Sequence, residues 1–417
     1  MSVLVVGAGI AGLTTALSLH AAGVECRIVD RARELSALGV GINLQPHAVR
    51  ELTELGLGDL LAEHGVPTAE VVHFDRLGNR IWSEPRGVGA GYRWPQYSIH
   101  RGTLQMLLLR AVEERLGTDA VRTGAAFVSC AQTATGVSVR LRTRGGGEES
   151  VEADAVVGAD GLHSAVRAQL HPDEGPPVGS GIRMWRGTAE RAPFLGGATM
   201  IVAGTMAVAK FVAYPITPVR DGRTTVNWVA EVRTPGNEDA DWTTVGRLDD
   251  VLPHYADWRL GWLDLPELLR ASDPILEYPM VDRDPLPHWG NGRITLAGDA
   301  AHPMYPIGSN GGSQAILDAR VLARHLATAP DTATALARYE TERREPTNRI
   351  LLANRTLGPD RILRLVAERA PAGFEHVSEV LSEDELAEIG ASYRHTTSMD
   401  VQVLNSRPSW SVSRTPR

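Results

Sequence analysis

Val3-Leu-Val-Val-Gly7-Ala-Gly9-Ile-Ala-Gly12 opens the chain, and Asp30 follows eighteen residues after its last glycine. Residues 3–6 are an unbroken apolar run, as expected of a strand covered on both faces. Leu13, Ala16, Leu17 and Leu19 then recur at helical spacing, and Gly23 stops the helix. Residues 25–29 read as a second strand that ends at Asp30. The unit is βαβ. A Gly-x-Gly-x-x-Gly turn between strand and helix offers a tight bend, a backbone clear of side chains and helix N–H groups aimed at an anion. A pyrophosphate suits that place, and Asp30 is positioned to accept from ribose hydroxyls. Dinucleotide binding is expected, with NAD and FAD both open at this point.

The chain has 417 residues, 43% hydrophobic and 22% charged, which is enough for more than one layered core. Net charge is −8 and the basic residues are spread evenly, which disfavours a nucleic-acid or anionic-membrane partner. Lys210 is the only lysine among 42 basic residues; the rest are arginine, a pattern that reads as coding bias. No apolar run approaches the roughly 18 residues of a membrane span. The N-terminus lacks a basic n-region and a cleavage site, so no signal peptide is expected. Cys26 and Cys130 make no disulfide framework, and a cytoplasmic protein is expected. Disorder is expected only in the Ser/Pro/Arg tail from Arg407.

The middle changes character. Residues 71–74 and 80–83 read as a hairpin around Leu77-Gly-Asn, and residues 97–100 as a strand running into a helix over 102–116. Residues 127–132, 137–143 and 151–159 read as a meander. Strands over 182–189, 199–204, 207–215 and 224–232 then follow without βα alternation, so a separate, mostly antiparallel sheet is expected. Helical stretches come near 245–255 and 265–271. Residues 293–297 return to the buried-strand pattern. Helices over 312–326 and 332–356 follow, with shorter ones near Leu363 and over 383–389.

Two later passages repeat the strand–loop–helix theme. One is Val156-Val-Gly-Ala-Asp160-Gly161-Leu-His-Ser164-Ala-Val-Arg167. The other is Leu296-Ala-Gly298-Asp299-Ala-Ala-His302-Pro303-Met-Tyr305-Pro306-Ile-Gly308-Ser-Asn310-Gly311-Gly312. With GxGxxG, Asp-Gly and Gly-Asp in this order, the chain resembles the class A FAD-dependent aromatic hydroxylases, the para-hydroxybenzoate and salicylate hydroxylase type. The likeness spans at least residues 2–356. Stretches such as Gly39-Val-Gly-Ile-Asn-Leu-Gln-Pro46 and Asp282-Arg-Asp-Pro-Leu-Pro-His-Trp289 narrow it to the branch that includes the 5-methylphenazine-1-carboxylate 1-monooxygenases.

The resemblance implies an α/β fold. A Rossmann-like FAD-binding domain of the glutathione-reductase type (1–72, 98–175 and 276–356) carries an inserted, mostly antiparallel substrate domain (73–97 and 176–275). Helices and a tail complete the chain (357–417). It implies FAD as cofactor, NADH or NADPH as a visiting reductant, O2 as co-substrate and an aromatic acid as acceptor, in a monomer or homodimer. Gly7, Gly9, Ala11 and Gly12 match the segment under the FAD pyrophosphate. Asp30 and Arg31 match the adenosine ribose side, and Phe127 the passage by the adenine. Arg101 matches an arginine on the flavin's phosphate or ribityl chain, the alternative being a solvated helix-start arginine. Asp160 and Gly161 match a motif tied to FAD and NAD(P)H, though Asp160 also reads as a helix cap. Asp299 matches the acid on a ribityl hydroxyl. Gly41 and Ile42 match chain beside the isoalloxazine, as do Pro306, Gly308, Gly311 and Gly312, whose helix N-terminus can hold negative charge on the ring. His302 reads as a loop residue before a base, and no catalytic residue is assigned.

The pocket is less defined. Trp185, Tyr214, Trp228 and Tyr305 are candidates to line it, with sheet-core packing an equal reading for each, because the parity that faces inward is not encoded locally. Arg186 is a carboxylate partner or a surface ion pair. No metal-ligand spacing is present. The expected reaction is hydroxylation, with or without loss of CO2, of a multi-ring aromatic acid such as a phenazine carboxylate. The alternative is epoxidation or N-hydroxylation of another polycyclic compound.

Overall fold

A computed structural model describes residues 1–234, 245–356, 360–386, 388 and 400–412. Five parallel strands form the first sheet, in the order Ile294–Leu296, Ala155–Gly158, Ser2–Val6, Glu25–Asp30 and Val121–Thr123. Its central strands are apolar and buried on both faces, as the opening sequence requires. The helix Ile10–Ala21 packs on the helices Arg101–Leu116 and Gly311–Thr328.

The meander reading needs one correction. Glu148–Ala153 and Ala155–Gly158 are separate strands in different sheets. The first completes an antiparallel sheet with Val137–Arg142 and Ala126–Gln132. The break falls at Asp154, whose N–H donates to the Ser2 carbonyl and whose carboxylate accepts the Ser2 N–H at 2.6 Å. Tied to the first strand at both groups, Asp154 hands the chain over to the parallel sheet.

Seven strands build the second lobe, in the order Leu276–Asp282, Val178–Arg191, Thr224–Arg233, Ala209–Pro215, Thr199–Thr205, Glu70–Phe74 and Arg80–Pro85. All neighbours are antiparallel except Thr199–Thr205 with Glu70–Phe74. Sheet membership therefore begins at 70 and ends at 282, a few residues beyond the expected segments on each side. A small sheet of Gly41–Leu44, Tyr97–His100 and Val66–Pro67 lies between the lobes.

The seven-stranded sheet has two unlike faces. Trp185, Phe211, Trp228 and Ala230 pack against Val251, Leu265, Leu268 and Leu269 behind it. Met184, Val212, Tyr214 and Val229 face the loop that carries Tyr305 and Ile307. The helices Thr332–Arg355 and Asp360–Arg369 close the chain around the lobes. Of the helix expected at 383–389, residues 383–386 are helical, while 387 and 389 lie outside the described residues.

The tail reading also changes. Val401–Ser406 is a helix, and residues 407–412 pack on the first lobe. Arg50 donates to the Leu404 and Arg407 carbonyls, Arg407 pairs with Glu51, and the Arg407 guanidinium lies 3.5 Å from the Trp410 ring centre. Glu51 is fully buried with Arg320, and buried charges demand partners that an ordered tail supplies. No helix among the described residues is long and apolar enough to cross a membrane.

Candidate active site

The three glycines of the first motif are fixed by three different constraints. Gly7 has φ +108°, and a side chain there would meet the Ala159 carbonyl at 2.4 Å. At Gly12 a Cβ would lie 1.8 Å from the Gly7 carbonyl oxygen, so the helix could not approach its own turn. At Gly9 a Cβ would meet nothing within 4 Å. Gly9 caps the helix without a side-chain hydrogen bond, which leaves first-turn N–H groups facing open space. The turn is braced from outside. Asp30 accepts the N–H groups of Ala8 at 2.6 Å and Ala32 at 2.7 Å, and Gln105 Nε2 donates to the Ala8 carbonyl at 2.8 Å. The sequence reading missed Gln105; its only signal is a place one helical turn after Arg101. Arg101 and Arg31 are exposed, and the Arg101 side chain runs beside Gly39. Ala11 is buried, packed where a Gly298 side chain would have to stand. Phe127 is buried in the first-lobe core.

The second passage lands next to the first, since Gly7 stacks on the backbone of Ala159 and Asp160. Asp160 is engaged as a helix cap: its carboxylate accepts from Ser164 Oγ at 2.5 Å and from the Ala165 N–H at 2.7 Å. Burial raises its pKa, with these bonds opposing the rise. Gly161 has φ +80° and open space around it. Arg167 bolts this passage to the third. It is buried, pairs with Glu174, and donates to the Ala300 and Ala301 carbonyls at 3.0 and 2.9 Å.

The third passage places Asp299 on an exposed turn, with no described residue hydrogen-bonded to its carboxylate. Across from it lies Gly311, where a Cβ would sit 3.8 Å from Asp299 Oδ1. A Cβ at Gly312 would meet Ile42 Cδ1 at 2.7 Å, so Ile42 and the start of the helix Gly311–Thr328 face each other closely. Pro306 begins the turn that reaches them, Gly308 has φ +69° and Ser309 φ +58°. A buried network holds this loop. Asp318 accepts the Gly298 N–H at 3.0 Å, His302 Nε2 lies 2.5 Å from Asp318 Oδ2, and Arg343 donates to Asp318 Oδ1 at 2.8 Å and to Gln314 Oε1 at 2.6 Å. Burial opposes the Asp318 charge, but His302 and Arg343 hold its carboxyl below the usual range. His302 is thus committed to the loop. Asp318, Arg343 and Gln314 escaped the sequence reading.

The sheet completes the site. Gly41 donates to Asn227 Oδ1 at 2.7 Å and accepts from Arg186 at 2.9 Å, joining the small sheet to the seven-stranded one. Arg186 is half-buried and makes no ion pair among the described residues; its Nε is buried without a partner. Val212, Val229 and Ile307 keep 7–8% of their surface open, whereas Phe211, Trp228 and Ala230 on the opposite face keep none. The first, termed the open face, turns toward the loop of Tyr305 and Ile307, and the second is packed on the helix Leu265–Arg270. Tyr214 and Tyr305 belong to the open face. Trp185 and Trp228 do not: they hydrogen-bond Glu277 and Ser272 in the rear core, which corrects their reading as pocket residues. Burial raises the Tyr214 pKa, against the nearby Arg186, and pushes Tyr305 up to about 12, together with Asp282.

The comparisons agree with this geometry. The family model of an FAD binding domain matches residues 1–353. A phenazine 1,6-dicarboxylic acid hydroxylase of Lysobacter antibioticus is 51% identical over 400 residues, covering 94% of this chain and 96% of that protein. A 3-amino-4-hydroxybenzoate 2-monooxygenase of Streptomyces platensis is 36% identical over 81% of this chain and 82% of its own. Klebsiella pneumoniae HpxO, solved with FAD and uric acid, shares the fold at TM-score 0.72 and 24% identity, over 97% of this chain and 95% of that one. The residues fit FAD. Gly9 leaves room for a pyrophosphate, Asp299 offers an uncommitted carboxylate, and Ile42 opposes a helix N-terminus beside it. The chain belongs to the FAD-binding family of flavoprotein aromatic monooxygenases.

Proposed function

We propose that this monooxygenase hydroxylates a multi-ring aromatic acid of the phenazine-carboxylate type, using NADH or NADPH and O2. The observation that carries this reading is the 51% identity to a phenazine 1,6-dicarboxylic acid hydroxylase along nearly the whole of both chains. The open face of the sheet supports it. Met184, Met200, Met206 and Met280 gather there with Val202, Val212 and Val229, a soft, low-relief surface suited to a flat ring system.

Bound FAD supplies the redox chemistry that delivers one oxygen atom of O2 to the ring. Gly9 and the following helix turn would hold its pyrophosphate, and Asp299 would accept from a ribityl hydroxyl. The N–H groups from Gly311 on would stabilise negative charge on the flavin ring. Gly41 and Ile42 would hold the ring beside the substrate sheet, because Asn227 and Arg186 grip Gly41 from that sheet. The apolar lining keeps water from the reacting atoms. Asp30 braces the glycine turn in this reading and offers what acceptor capacity remains to the ribose. Both cysteines are free thiols, in keeping with a cytoplasmic enzyme.

The test is NAD(P)H oxidation by the FAD-loaded protein with phenazine-1-carboxylate, phenazine-1,6-dicarboxylate, 3-hydroxybenzoate and 3-amino-4-hydroxybenzoate, followed by product mass. Phenazine acids should stimulate oxidation most and gain one oxygen, with or without loss of CO2. Stimulation by the single-ring acids alone would overturn the substrate class. A product that is an N-oxide or epoxide would favour the alternative, which the 32% identity to an aurachin C monooxygenase/isomerase of Stigmatella aurantiaca keeps in view.

A further inference from the structure

Lys210 is the single lysine of a chain that otherwise uses arginine at every basic position. It lies in the strand Ala209–Pro215, and strand alternation puts it on the open face with Val212 and Tyr214. Glu231 is its register partner on the neighbouring strand, and Lys210 Nζ is 2.7 Å from Glu231 Oε2. Both side chains are more than nine-tenths buried. An ammonium has three N–H donors, and no hydrogen bond among the described residues engages the others. A bracing role alone explains this pair poorly. Two apolar residues of similar volume usually stabilise a buried position at least as well as an ion pair. The apolar neighbours Met206, Val212 and Met184 would accept them, and the one further carboxylate nearby, Asp360, is already engaged by the Met206 N–H and Thr205 Oγ1.

Its position relative to Arg186 adds the second observation. Arg186 pairs in register with Val229 and Lys210 with Glu231, so the two cations stand two strands and two residues apart on one face. Standard strand spacing and rise put their Cα atoms about 12 Å apart. Arg186 occupies the end next to Gly41, and Lys210 the far end beside Met206 and Asp360. A tricyclic acid lying along this face would meet a cation at either end.

We propose that Lys210 binds a substrate carboxylate at the end remote from the flavin, and so determines specificity for carboxylated multi-ring acids over neutral analogues. This rests on the reading of the chain as an aromatic-acid hydroxylase. A guanidinium does not replace the ammonium here, because the planar fork needs more room than a point charge opposite Glu231. Both groups sit on the substrate side, so a carboxylate and Glu231 share one ammonium when the site is filled.

The experiment measures Kd by calorimetry on the FAD-loaded protein for phenazine-1,6-dicarboxylate, phenazine-1-carboxylate and unsubstituted phenazine. Wild type, Lys210→Met and the double variant Lys210→Met/Glu231→Met are compared. The double variant removes the pair together, so that no lone buried charge confounds the result. Loss of a charge-assisted bond should weaken the dicarboxylate about 10- to 100-fold in the double variant, with phenazine changed less than threefold. An equal loss for all three ligands would make Lys210 a structural brace and overturn the proposal. Unchanged discrimination in the double variant would overturn it too. If wild type binds none of the three, the phenazine reading fails and this assignment falls with it.

Discussion

Glycine substitutions within one motif should fail in different ways, because their surroundings differ. Gly12→Ala places a methyl 1.8 Å from the Gly7 carbonyl oxygen, and backbone cannot yield as a side chain does. It should destabilise the apoprotein by about 3 kcal/mol or more, read by urea unfolding. Gly9→Val meets only open space and should leave apoprotein stability near wild type while abolishing FAD binding, read by flavin titration. A yellow, active Gly9→Val protein would remove the pyrophosphate from that loop. Asp299→Ala should likewise fold normally, since no described residue leans on its carboxylate. Loss of a charged acceptor for a hydroxyl should cost roughly 1.5–3 kcal/mol of FAD affinity; wild-type affinity would refute the role. These positions were legible because each loop follows a strand and precedes a helix within one stretch of chain. Asp160 was legible as a cap for the same reason. The tryptophans were not. Trp185 and Trp228 sit in strands whose inward parity is set by the helix Leu265–Arg270 behind the sheet, and a single strand carries no mark of which side that helix takes.

At the scale of elements, the flavin loop depends on a helix–helix junction far from it in sequence. The helix Gly311–Thr328 supplies Asp318 and the helix Thr332–Arg355 supplies Arg343, and both converge on the Gly298 N–H and His302. Arg343 lies in Glu340-Thr-Glu-Arg-Arg-Glu345, a run that reads as solvated, and nothing local separates the inward arginine from its neighbours. The strand break at Asp154 was hidden similarly, since its partner is the first strand of the chain. Asp318→Asn should destabilise by about 3–5 kcal/mol, because Arg343 is left buried without its counter-charge. FAD affinity should fall with it as the Gly298 turn loosens. The pH dependence has a definite sign. The Asp318 carboxyl titrates below its unfolded value near 3.9. Its contribution is whole above that value and is lost as pH falls through the lower folded value. The gap in unfolding midpoint between wild type and Asp318→Asn, followed from pH 5 to 3, should therefore hold down to about pH 4 and narrow below it. A gap that stays constant from about pH 4 down to pH 3 would show that the carboxylate's charge is not what holds the junction.

Among the described residues, each lobe carries a buried histidine held neutral by its surroundings, His47 in the first and His73 in the second, and this makes folding acid-sensitive well above the carboxylate range. His47, on the helix Pro46–Glu54, is pushed down to about 3 by burial, with Arg343 and Arg407 adding to it. His73, stacked on Trp82 in the large sheet, is pushed down to about 3 by burial, with Arg86 and Lys210 adding to it. In the unfolded chain both take a proton near pH 6.5. Between those values the unfolded state binds more protons, so stability falls as pH falls, by about 1.4 kcal/mol per unit for each histidine once below 6.5. By pH 5 each should cost roughly 2 kcal/mol, a sizeable share of an ordinary 5–15 kcal/mol. The two lobes are stitched at Gly41 through Asn227 and Arg186, and the tail clamps the helix that bears His47. One cooperative transition is thus expected, with the two losses adding. Urea unfolding of the apoprotein at pH 7 and pH 5, in wild type, His47→Gln and His73→Gln, reads this directly. Each variant should recover about half of the acid loss, and both should act on the same transition. Two separate transitions, one answering only to His47→Gln and the other only to His73→Gln, would mean that the lobes fold independently and that the Gly41 stitch aligns them without coupling their stabilities.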